Sequence, residues 1–175
     1  MLLFFKLLHS KDSKYIFLIL TKEDPSLVEE MAKELSINPE LIKVGYSPRN
    51  ELPSVLSICG LSIFFIRNSF SKIASSPTKL GELMGMGIPV ICNSIGDTPY
   101  IINKTGAGML IDDFSETQLE KIIYRVNELE NIPKDSIRKG AFEFFDLQSG
   151  IEKYISVYKR LFNKQTSLTA LHAEA

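Results

Sequence analysis

Pro77-Thr78-Lys79-Leu80-Gly81-Glu82-Leu83-Met84-Gly85-Met86-Gly87-Ile88-Pro89-Val90-Ile91-Cys92 reads as a helix, its stop signal and the strand that follows at once. Proline suits a first helical turn, where its missing N–H has no partner to lose. Gly87 stands where helices end in the left-handed conformation. Pro89-Val90-Ile91-Cys92 is short and apolar, the composition of a buried strand. Ahead of the helix, Leu61-Ser62-Ile63-Phe64-Phe65-Ile66 is a second apolar strand, joined to it by a polar loop over residues 67–76. Strand, loop, helix and strand in this order make a parallel crossover unit.

The same alternation continues on both sides of this unit. Tyr15-Ile16-Phe17-Leu18-Ile19-Leu20 is a continuous apolar run, expected as a strand buried on both faces. Asp24-Pro25-Ser26 opens a helix with Leu27, Val28, Met31, Ala32 and Leu35 at helical spacing. A short strand over 41–44, a turn at Ser47-Pro48 and a short helix within 51–59 lead back to Leu61. After Cys92 come a loop over 93–97, a short helix around Tyr100-Ile101-Ile102, a turn at Gly106-Ala107-Gly108 and a last strand, Met109-Leu110-Ile111. Ser115-Glu116-Thr117-Gln118 has the pattern of a capping box. It starts a helix with Leu119, Ile122, Ile123 and Val126 on one face. A second helix is expected over about 133–145, and a third carries the stripe Ile151, Tyr154, Ile155, Tyr158, Leu161 and Phe162. The predicted class is α/β, a Rossmann-like doubly wound parallel sheet with carboxy-terminal helices. The domain is expected over 1–162, with 163–175 a disordered tail.

The chain has 175 residues, room for one domain, and 45% of them are hydrophobic, enough to build a core. Its 20 basic and 21 acidic side chains are interspersed and give a net charge of -1, so no nucleic-acid footprint is present. Cys59 and Cys92 lack metal-ligand spacing and read as small buried thiols of a reducing compartment. The apolar start is broken by Lys6 and has no small-residue cleavage site, unlike a signal peptide. No stretch is long enough to span a bilayer. These features predict a cytoplasmic protein.

Doubly wound sheets bind ligands beyond the carboxyl ends of their strands. That selects the loops 67–76 and 93–97 and the helix start at Pro77. Free N–H groups and the helix dipole make an anion site there. Ser76 and Thr78 add hydroxyls and Lys79 adds positive charge, so a diphosphate suits the place. Glu82 lies three residues beyond Lys79, on the same helix face, where a carboxylate accepts two hydrogen bonds from a vicinal diol such as a ribose. The same residues also read as an ordinary helix start with a solvated Lys79–Glu82 pair. His9 and His172 have no partner in sequence, and no metal cluster is visible.

The run Pro77 to Ile91 resembles the donor-site motif of glycosyltransferase family 4: proline, any residue, lysine, two residues, glutamate, then a small-residue helix end and Gly-x-Pro-Val. Leu61 to Ile66 before it, and Gly96-Asp97 and Gly106-Ala107-Gly108 after it, agree with that family. The resemblance implies the carboxy-terminal, donor-binding half of a retaining glycosyltransferase of GT-B fold. It implies transfer of a hexosyl group from a nucleoside diphosphate sugar to a glycan or lipid-linked acceptor, without a metal cofactor. Glu82 would hold the ribose, Ser76, Thr78 and Lys79 would lie along the diphosphate, and residues 67–71 would border the sugar or acceptor. Many family members place a second glutamate where this chain has Ala74, so the contact it makes to the sugar is missing or replaced. By the resemblance the chain begins inside the first helix of the domain, near Leu2-Leu3-Phe4-Phe5, without the preceding strand, the glycine-rich loop or the amino-terminal acceptor-binding half. Unpaired strands and self-association are then expected, and in the intact enzyme a place peripheral to the membrane. Two other readings stay open: a sugar-nucleotide 2-epimerase fragment of the same fold, and a non-catalytic nucleotide-binding remnant.

Overall fold

The computed structural model of the chain describes the backbone of residues 1–74 and 76–173, with side chains through residue 162. It opens with α1 (Leu2–Lys11), β1 (Phe17–Leu20), α2 (Ser26–Glu34) and β2 (Ile42–Gly45). Then come α3 (Leu52–Leu56), β3 (Ser62–Ile63), α4 (Phe70–Ile73), α5 (Thr78–Gly85), β4 (Val90–Cys92), α6 (Thr98–Thr105) and β5 (Gly108–Leu110). Helices α7 (Glu116–Tyr124), α8 (Val126–Glu130), α9 (Lys134–Phe145) and α10 (Leu147–Ala173) follow. Of the expected tail, the backbone is helical through Ala173, while its side chains and Glu174 and Ala175 lie outside the described residues.

The described strands pair in parallel, as the crossover pattern requires. They form two ladders, β1-β2 and β3-β4-β5, with the break between β1 and β3 where the sequence leads one to expect a strand to be lacking. Within each ladder the pleat sorts side chains onto two faces. Val90 and Cys92 point to one side, into a cluster with Leu80 and Met84 of α5, Ile101 and Ile102 of α6, and Ile137 and Ala141 of α9. Ile91 points to the other, into a cluster with Phe4 and Leu8 of α1 and Leu119 and Ile123 of α7. Helices on both faces make the α/β doubly wound arrangement. One helix holds the two ladders together. Phe4 and Leu8 of α1 belong to the cluster over β3-β4-β5, whereas Leu2 and Phe5 pack with Phe17 and Ile19 of β1.

The broken ladder accounts for two departures from expectation. β1 is half-buried along its length and Ile16 is exposed, so the run from Tyr15 is not buried on both faces. Phe17 and Ile19 meet α1, while Leu18 and Leu20 join none of the described core clusters. The apolar run at Leu61 keeps ladder register only at Ser62 and Ile63; the Phe64 N–H still donates to the Ile91 carbonyl at 3.0 Å, and the Asn93 side chain then takes over the bonding at Ile66. The loop over 67–76 contains the single turn of α4. The capping box does not form: the Ser115 hydroxyl donates to Asp113 at 2.9 Å instead of capping α7. Cys59 is half-buried rather than buried. Cys92 is fully buried, and burial, with the Asp112 charge adding to it, pushes its thiol up to about 12. Gly87 ends α5 at φ +72°, as its position predicts.

Candidate functional site

Leu80 and Met84 are wholly buried, one turn apart, and pin α5 to the core. That anchoring turns the opposite face of the helix, with Lys79 and Glu82, toward the surface. The residue preceding α5, Pro77, is extended and offers no side-chain cap. The first intrahelical bond runs from the Leu80 N–H to the Pro77 carbonyl at 2.9 Å, which leaves the Thr78 and Lys79 N–H groups ahead of it. Ser76 and Thr78 are exposed beside them. The Lys79 ammonium lies 5.3 Å from the centre of the Phe64 ring, so it sits over the residue that follows β3. The start of α5 therefore stands at the carboxyl end of the β3-β4-β5 ladder.

Glu82 is half-buried and accepts a 3.0 Å ion pair from the Arg49 guanidinium. The structure thus gives Glu82 a partner from the loop after β2, not the solvated pair with Lys79. It also shows that β2 and β3 both end on this edge, since Arg49 follows β2 and Glu82 lies on the helix after β3.

The floor of the edge is braced by side chains. Asn93, buried at the end of β4, accepts from the Ile66 N–H and donates to the Ile66 carbonyl, both at 2.8 Å. The Thr98 hydroxyl, with no exposed surface, donates to the Asn93 carbonyl at 2.7 Å and accepts from the Ile95 N–H at 2.9 Å. Ser94 ties the same loop to Asp112, through its N–H and its hydroxyl, both at 2.7 Å. Among the described residues these bonds leave no buried side-chain polar atom of the loop without a partner. Further along the edge, an open cleft of ≈ 550 Å³ lies between the ends of β1 and β2, lined by Thr21, Lys22, Glu23, Pro25, Val44, Gly45 and Tyr46.

Ser76, Thr78, Lys79 and Glu82 are therefore gathered at one short helix start, while Arg67 lies in the loop between β3 and α4 and Ala74 follows the turn of α4. Sequence reasoning missed Arg49 and the Asn93 clasp. An asparagine directly after an apolar strand was the available signal for the second; an arginine in a polar turn gave none for the first. Among the described residues no group of histidine, cysteine, aspartate and glutamate side chains is placed to hold a metal ion. None of the described helices is long and apolar enough to cross a membrane.

Comparison with known proteins adds the following. Residues 1–141 match the family model described as glycosyl transferases group 1. No curated protein matches the chain. Among solved structures, AviGT4, a glycosyltransferase involved in avilamycin A biosynthesis, superposes with a TM-score of 0.64 at 14% sequence identity. The match covers 93% of this chain and 47% of that one, so the chain spans about half the length of that enzyme. At this identity the likeness is one of fold.

Proposed function

The chain belongs to the glycosyl transferases group 1 family, and on that basis we propose that it is a donor-binding domain of GT-B type, taking a nucleoside diphosphate sugar. The observation that carries this reading is the uncapped start of α5, with Thr78 and Lys79 at its amino end and the Glu82 carboxylate one turn further in. The free N–H groups and the Lys79 ammonium suit a diphosphate, and the helix dipole favours its charge. Glu82 takes the ribose hydroxyls. The cleft at Tyr46 is of a size that holds a nucleobase. Ser76 lies alongside the phosphates.

In the intact enzyme this domain works with an acceptor-binding half and moves a hexosyl group, with retention, to a glycan or lipid-linked acceptor. Its catalytic share is to stabilise the departing diphosphate, through Lys79 and the helix start, as negative charge gathers on it. No metal is needed in this scheme, because ammonium and backbone N–H groups meet the charge. The working place is the cytoplasm, peripheral to a membrane when the acceptor is lipid-linked. Calorimetry with UDP, GDP and ADP tests the reading. At least one is expected to bind in the millimolar range or better; failure of all three on folded protein removes the site.

A further inference from the structure

We propose that Arg49 is the residue by which this edge selects nucleoside diphosphates over uncharged nucleosides, an inference that rests on the donor-site reading above. Its backbone sits on a tight turn: the Glu51 and Leu52 N–H groups both donate to the Pro48 carbonyl at 3.0 Å. That turn joins Tyr46, which lines the cleft, to α3. From there the Arg49 side chain, 89% exposed, reaches across to Glu82 at 3.0 Å. The Arg49 arm thus links the turn that follows the cleft-lining Tyr46 to the helix that begins at Thr78.

The chemistry follows from what each ligand offers the displaced guanidinium. A ribose that takes the Glu82 carboxylate breaks the Arg49 pair. A nucleoside has no anion to replace it, so that pair opposes its binding. A diphosphate at the start of α5, about one helical turn from Glu82, supplies oxygens that a guanidinium binds through two parallel N–H groups. Lys79, lying over Phe64, brings a single point charge without that fork. Arg49 thus changes partner on binding, and only a charged nucleotide completes the exchange.

The test compares uridine with UDP, guanosine with GDP and adenosine with ADP on wild type, Arg49→Ala and Arg49→Lys, by calorimetry at low salt. Arg49→Ala is expected to tighten the nucleoside roughly two- to five-fold, since exposed pairs are weak. It is expected to weaken the diphosphate about ten-fold or more, through loss of a charge-assisted contact. Arg49→Lys should recover part of the diphosphate affinity. Melting temperatures of both variants serve as the folding control. Shifts of equal size and sign for nucleoside and diphosphate, or no shift in either, overturn the proposal, because Arg49 would then only brace Glu82 or stand idle. A wild-type chain that binds none of the six ligands fails at the donor site itself, a result distinct from any pattern among the variants.

Discussion

In the proposed site Glu82 and Lys79 take different parts of the ligand from one helical turn. Glu82 is half-buried, so hydrogen bonds to it are stronger than at a fully solvated carboxylate. Removing it by Glu82→Ala should weaken a nucleoside diphosphate by about 1.5–3 kcal/mol for each charge-assisted bond lost. Calorimetry against the bound nucleotide measures this directly. Lys79→Ala should act differently. In the proposed site the ammonium meets the phosphates and not the ribose, so its loss is expected to weaken UDP more than uridine. Equal losses for the two ligands would take the phosphate role away from Lys79. That the two residues share the surface side of α5 follows from the sequence, because the relation is local: spacing along one helix fixes a shared face. The pairing of Arg49 does not, because its partner lies 33 positions away and is chosen by the packing of two loops.

The elements that carry the site depend on close backbone contacts. By sequence Gly108 falls in a glycine-rich turn, yet it is the first residue of β5 and pairs with Val90. A Cβ built on it falls onto the Val90 carbonyl oxygen. Gly108→Ala must therefore push β5 from β4, at an expected cost of about 1–3 kcal/mol. A thermal melt should show the loss, and a variant as stable as wild type would mean the ladder tolerates a wider spacing. This contact also explains what the sequence could and could not supply. Helix positions followed from periodicity, because α5, α6, α7 and α9 each bury one face. Strand lengths did not follow. The apolar run at Leu61 promises six strand residues, but only two keep ladder register, since hydrophobicity does not say where a neighbouring strand ends and a side chain takes its place. The clasp of Asn93 on Ile66 then ends the ladder where the site begins.

The two ladders decide how the chain as a body should behave. β1 and β3 each have a neighbour on one side only among the described strands, so each leaves N–H and C=O groups facing away from its ladder. Alpha helix α1 bridges them from one face, through Phe4 and Leu8 on one side and Leu2 and Phe5 on the other. A helix is about 10 Å across and strands within a sheet lie about 4.8 Å apart. One helix therefore spans roughly two strand spacings, which leaves β1 and β3 joined by side-chain packing but not by hydrogen bonds. The last helix adds apolar surface: Ile151, Tyr154, Ile155, Tyr158 and Leu161 are all exposed along α10. Open edges and an uncovered stripe both favour association between chains. We therefore predict a self-associating chain, with β1-β2 opening before β3-β4-β5. Sedimentation over a wide dilution range should show mass rising with concentration. Hydrogen exchange should release the amides of Phe17 to Leu20 well before those of Val90 to Cys92, whose strand is paired on both sides. A monomer at every concentration, with both ladders exchanging together in a single cooperative opening, would show that α1 alone couples the two halves into one stable unit.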